Sequence, residues 1–226
     1  MHRVRGSVPV AVLLALVPAR AVSARSNVGD AAGGTAVAAY RDDVRLPPDP
    51  HGIAWHQVGG AVTRDELITE WVPQGETDLD WTQIITIKTM ARTRDPAAIV
   101  QGAIGLMRGI CGRLSVVETP RRQQLGDVQT LGMPVPAFDV TDMLVTCQDP
   151  DRAALGKRLR TQNVQLRRYE LTWYSIIQGE RQNFIVQRAW HGDDIDATSP
   201  LGSNESLEEW KHWLDSVTLV RSRVKP

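Results

Sequence analysis

Two cysteines, Cys111 and Cys147, and one compact polar cluster, His191-Gly-Asp-Asp-Ile-Asp196, carry the most specific chemistry in this 226-residue chain. Two cysteines allow a single intramolecular pairing. A bridge closing 36 residues is worth about 3 to 4 kcal/mol on the chain-entropy account. There is no Cys-x-x-Cys and no basic residue adjacent to either thiol, so a structural disulfide between helix and strand is expected rather than a redox couple. In the cluster, His191 with Asp193, Asp194 and Asp196 has the groups to bind Ca2+ or to place a general base. It lacks the alternating ligands, central glycine and distal glutamate of a calcium loop, and its ordinary reading is a solvated loop after a strand. His51, His56 and His212 show no H-x-x-x-H or H-E-x-x-H spacing. No metal or cofactor is therefore expected. A Gly-x-Ser-x-Gly elbow is missing, and Gly102, Gly105 and Gly109 fall inside an expected helix rather than at its start, where they would cradle a phosphate.

Seven tryptophans stand against two phenylalanines. Most are expected to fill the space between sheet and helices. Trp55 and Trp71 are expected nearest the surface, where they could line a groove for a glycan. Arg152, Lys157, Arg158, Arg160, Arg167 and Arg168 form a local basic excess that suits either a solvated loop or contact with an anionic partner.

The elements that would position these groups can be read from periodicity. Glu66 to Val72 and Trp81 to Thr89 are β-prone runs rich in branched side chains. Asp95-Pro96 starts a helix, with Asp95 accepting from free backbone N–H groups and Pro96 where no N–H is needed. Val100, Ile104, Met107 and Cys111 share one helical face. Three internal glycines cost this helix about 1 kcal/mol each, so it is expected to lie with its backbone close to a sheet. Arg113 to Glu118 and Phe138 to Cys147 read as strands. Arg168 to Ile177 and Asn183 to Trp190 read as a hairpin. A last amphipathic helix, with Leu207, Trp210, Trp213, Leu214 and Val217, begins near a capping box of Ser206 and Glu209. The order predicts an α+β fold, a mainly antiparallel sheet with both helices on one face.

Residues 1–24 read as a signal peptide. Arg3 and Arg5 precede an apolar stretch from Val8 to Val17, and small residues lead to cleavage after Ala24. The stretch is shorter than the roughly 20 residues a transmembrane helix needs, so no membrane anchor is expected. Loss of Arg3, Arg5 and Arg20 leaves 23 basic against 26 acidic residues, a balance that argues against nucleic acid as a partner. Residues 25–50 are rich in Ala, Gly, Asp and Pro and read as a flexible leader. Residues 51–226 read as one domain.

The runs Glu70-Trp-Val-Pro-Gln-Gly-Glu76, Trp81-Thr-Gln-Ile-Ile-Thr86, Glu170-Leu-Thr-Trp-Tyr-Ser-Ile-Ile-Gln-Gly179 and Val186-Gln-Arg-Ala-Trp190 make residues 66 to 190 resemble a group of uncharacterised bacterial secreted or periplasmic proteins. The layout looks like the α+β sandwiches of the PsbP/Mog1 type. The chain departs from it by the basic stretch from Gln148 to Arg168. The resemblance implies a binding or assembly module. The expected function is thus a periplasmic or secreted, non-enzymatic module for a protein or envelope component. A small hydrolase using the His191 to Asp196 loop and a glycan binder using Trp55 and Trp71 are the alternatives.

Overall fold

A computed structural model describes residues 40–63, 65–78, 80–124, 137–151, 153–154, 167–180, 182–196 and 199–223. The chain runs β1 (Tyr40–Arg45), β2 (Trp55–Val62), β3 (Glu66–Pro73), β4 (Gln83–Ala91), α1 (Pro96–Met107), β5 (Cys111–Gln124), β6 (Ala137–Pro150), β7 (Tyr169–Gln178), β8 (Gln182–Gly192), α2 (Asn204–Asp215) and β9 (Thr218–Arg223). Strands β2 to β8 form one sheet in the order β2-β3-β4-β8-β7-β6-β5, and β1 pairs with β9. Every pairing is antiparallel. Two meanders, β2-β3-β4 and β5-β6-β7-β8, are zipped together where β8 lies against β4. This is the expected α+β class.

The two helices occupy opposite faces, which corrects the expectation that both cover one. Trp210, Trp213 and Leu214 of α2 pack with Ile85, Leu171, Trp173, Ile177, Phe184 and Val186, joined by Leu219 of β9. Ile99, Val100, Ala103, Ile104 and Met107 of α1 pack with Met90, Met143, Tyr174, Ile176 and Ile185. The strand residues of the two sets alternate along β7 and β8, so they point to opposite sides. The physical reason is visible in those strands. All interior residues of β7 and β8 are buried, and a strand apolar on both faces needs cover on both.

Local starts and stops explain further differences. Asp95 caps α1 as expected, accepting from the N–H groups of Ala97 and Ala98 at 2.9 and 3.2 Å. The helix stops at Met107, however, and a turn through Gly109 and Ile110 makes Cys111 the first residue of β5. The Cys111–Cys147 disulfide, with Cα atoms 5.4 Å apart, therefore joins neighbouring strands β5 and β6 at the foot of α1, not a helix to a strand. Gly102 and Gly105 are exposed, and a Cβ built at Gly105 would meet nothing within 4 Å. Helix α2 starts at Ser203, whose hydroxyl accepts from the N–H of Ser206 at 3.0 Å. Glu209 is not part of a capping box; it pairs with His51 at 3.0 Å.

Residues 40–50, expected in the leader, belong to the fold. Asp42 of β1 is buried and takes two hydrogen bonds from Arg221 of β9, at 2.6 and 3.0 Å. Asp49 is bound to a buried arginine of β8. Among the described residues no helix is long and apolar enough to cross a membrane.

Candidate functional site

His191 and the three following aspartates do not converge. His191 is buried at the end of β8, its ring stacked on Trp81 with centroids 3.9 Å apart and planes 5° from parallel. A ring nitrogen also bonds the backbone carbonyl of Trp81. Burial lowers the imidazole to about 4, against the opposing pull of that carbonyl, so the ring is neutral over the physiological range. Asp193 is exposed and accepts from Arg167 Nη1 at 2.9 Å and the Arg168 N–H at 3.1 Å. Asp194 is exposed. Asp196 turns back to cap Ser199, accepting from its N–H at 3.0 Å. The carboxylates of Asp193 and Asp196 thus hold local backbone and Arg167. Among the described residues no group of three or more His, Cys, Asp and Glu is placed to hold a metal ion. Of the basic stretch, Arg152, Lys157, Arg158 and Arg160 lie outside the described residues, while Arg167 and Arg168 are engaged with Asp193 and Asp149.

The distinctive motif around residues 70 to 86 has a structural explanation. Gly75 adopts φ 95°, a value that glycine tolerates best. The Glu76 carboxylate then accepts from both the N–H and the hydroxyl of Thr82, at 2.7 and 2.6 Å. This closes the loop between β3 and β4 and delivers Trp81 onto His191.

Trp55 and Trp71 are half-buried rather than surface platforms, and both pack on the α2-side core. Trp55 forms one wall of a cage around Arg188, whose guanidinium carbon lies 5.6 Å from its ring centre, 4.3 Å from Trp210 and 4.8 Å from Trp213. The Arg188 side chain is 0% exposed. It pairs with buried Asp49 at 2.8 Å and bonds Gln83 Oε1 at 3.0 Å. A charged residue, Arg188, within the strand run Phe184-Ile-Val-Gln-Arg-Ala-Trp190 is the signal in the sequence that could have marked this group. It ties α2, β2 and the segment at residue 49 to the sheet.

The two edges of the large sheet differ in chemistry. Edge strand β5 carries Arg113, Glu118 and Pro120, residue types that discourage further strand pairing. Edge strand β2, Trp-His-Gln-Val-Gly-Gly-Ala-Val, has no Asp, Glu, Lys, Arg or Pro. Val62 is 81% exposed and its cross-strand partner Leu67 38%. Together they account for two of the four exposed large apolar side chains among the described residues. A shallow groove of about 680 Å³, lined by Gln57, Gly60, Val62, Leu67 and Thr69, runs along this edge.

On the α1 face, an L-shaped line of polar side chains separates two apolar patches. Glu70 pairs with Thr86, Thr86 with Gln187 and Gln187 with Tyr174, across β3, β4, β8 and β7. Thr172 and Glu170 continue along the same face of β7, and Glu170 lies opposite His191. All six are buried. Val72, Trp81, Ile84 and Ala189 form the patch inside the L, and the α1 cluster lies outside it. Thr172 donates to Glu170 Oε1 at 3.3 Å, whereas Thr86 Oγ1 and Gln187 Oε1 have no hydrogen-bond partner. Burial pushes Glu170 up to about 7, with Thr172 opposing. It raises Glu70 too, helped by the nearby charge of Asp78, and it raises Tyr174, helped by Glu170.

No protein-family model matches the chain and no curated protein matches it, so its function is read from these residues.

Proposed function

We propose that this protein is an exported, non-enzymatic binding or assembly module that engages a protein partner of the cell envelope by accepting an extended strand on β2. The observation that carries this reading is the β2 edge, which has no Asp, Glu, Lys or Arg and no strand paired on its outer side among the described residues, with its exposed Val62–Leu67 pair. A strand added there would gain main-chain hydrogen bonds from β2 and place alternate side chains against that pair. The Cys111–Cys147 disulfide supports export to an oxidising compartment, in line with the signal expected in residues 1–24. The PsbP/Mog1-like resemblance supports the same class of function.

The test is crosslinking in the producing cell. A photo-reactive residue at Val62 is expected to give a discrete protein adduct, and one at Val117 on β5 is expected to give none. Val62→Lys should suppress the adduct formed from a reactive residue at Ala61. Equal adducts from both edges, or none from β2, would refute the reading.

A further inference from the structure

The end of the sheet opposite β2 carries a cavity on its α2 face. It holds about 290 Å³ and is bounded by Arg113 and Ser115 of β5, Thr146 of β6, Tyr169 of β7, and Ile195 and Leu201 from the chain between β8 and α2. Arg113 lies opposite Gln148 and Gln148 opposite Tyr169, so one row of side chains crosses three strands. Ser115 and Thr146 oppose each other in the next row of the same face. The Cys111–Cys147 bridge ties β5 to β6 and so fixes this floor. A closed turn holds the wall. The Ser199 N–H and hydroxyl bond Asp196 at 3.0 and 2.9 Å, and the Gly202 N–H bonds the Ser199 carbonyl at 2.9 Å. A Cβ at Gly202 would collide with the Asp196 carbonyl oxygen, so the turn requires glycine there. Ile195 and Leu201 flank this turn, and both line the cavity.

We infer that this cavity is a binding site for a small amphipathic carboxylate, such as a medium-chain fatty acid. Charge selects the head group. Arg113 is the one charged side chain in the lining, and it is exposed. Asp149 and Asp193 hold Arg168 and Arg167, and among the described residues Arg113 has no acidic partner. Its guanidinium presents paired N–H donors that match a carboxylate, with the Ser115 and Thr146 hydroxyls beside it. The walls select the tail. Tyr169 and Leu201 pack on the α2-side core, and Ile195, 46% exposed, would be covered by a bound chain. Size sets the length. At about 30 Å³ for each water, the cavity has room for about ten non-hydrogen atoms, as in an eight-carbon acid. Arg113 and Tyr169 are two strand spacings apart, about 10 Å, which such a chain spans when extended. An alcohol of the same length would fill the walls but leave Arg113 unpaired, and a four-carbon acid would leave the walls bare. The site lies at the opposite end of the sheet from β2 and is independent of strand addition there.

Titration of the intact, isotope-labelled, disulfide-bonded protein with octanoate, octanol and butanoate, followed by backbone amide shifts, tests this. Octanoate is expected to bind saturably, with shifts centred on Ser115, Thr146, Tyr169 and Leu201. It should bind about tenfold more tightly than octanol, for the charged hydrogen bonds to Arg113, and at least tenfold more tightly than butanoate, for the lost methylenes. Arg113→Gln should weaken octanoate about tenfold and leave octanol unchanged, whereas Ile195→Asp should weaken both. Both side chains are exposed, so the variants should keep the fold, which the amide spectrum shows directly; if one does not, the other decides. No saturable octanoate binding, shifts centred away from these strands, or octanoate affinity unchanged in a folded variant would overturn the inference.

Discussion

Glu170 and His191 face each other across β7 and β8 with their titrations displaced in opposite directions. Glu170 is raised from 4.5 to about 7 in the fold. Its contribution to stability is therefore fully present below pH 4.5 and is lost as pH rises through 7. His191 is lowered from 6.5 to about 4, so its contribution is present above pH 6.5 and is lost as pH falls through 4. Each displacement corresponds to up to about 3 kcal/mol. Glu170→Gln is thus expected to stabilise the protein at pH 8 and to have little effect at pH 4.5. Urea unfolding at both values checks it, and an equal change at the two pH values would show that burial of the charge is not the cause. In the sequence, the type and spacing of residues 191 to 196 were legible, but the inward turn of His191 was not. That turn depends on Trp81, which is 110 residues away, and no local pattern records such a contact.

Elements were legible where their signals are local. Asp95-Pro96 marks α1 because a cap and a proline act within one turn, and β4, β7 and β8 announce themselves by runs of branched and aromatic residues. Strands β1, β2 and β9 were not legible. The Gly59-Gly60 pair, with a bulge between Gln57 and Gly59, weakens any strand signal in β2, which is specified by its pairing to β3. The end of α1 was missed because the spacing of Cys111 continues the helical stripe even though the helix ends at Met107 and the backbone turns through Gly109 and Ile110. That difference changes what the disulfide holds. It fastens β5, the edge strand of the sheet among the described residues, to β6. Cys111→Ser with Cys147→Ser is expected to cost about 3 to 4 kcal/mol. Amide exchange should accelerate first in β5 while α2 and β8 stay protected; uniform loss across the sheet would instead assign the bridge a global role. At the start of α2, Ser203→Ala should cost about 1 kcal/mol, and Ser206→Ala, which leaves the accepted N–H in place, should cost less. Thermal melts of the two variants rank them.

At the scale of the whole molecule, class was legible and layering was not. The succession of strands and helices gives α+β, but which face each helix covers depends on the parity of residues in β7 and β8 set against contacts from distant segments. The same long-range dependence placed the domain boundary too late. Residues 40–50 carry the breakers of a leader, yet Asp49 supplies the counter-charge to Arg188 at 2.8 Å, with both side chains buried, and β1 pairs along β9. Removing one member of a buried pair leaves an uncompensated charge and costs about 3 to 5 kcal/mol. Deleting the chain through Pro50 removes Asp49 and β1 together, so the loss should exceed that of Asp49→Ala alone. Arg188→Leu introduced into the shortened chain removes the stranded charge from the tryptophan cage and should restore part of the stability. The same change in the full chain strands Asp49 and should be destabilising. Guanidinium unfolding of the four proteins checks the sign reversal. If Arg188→Leu has the same sign in both backgrounds, the charge pair is not what binds this segment to the sheet, and the contribution of residues 40–50 lies in the β1–β9 pairing instead.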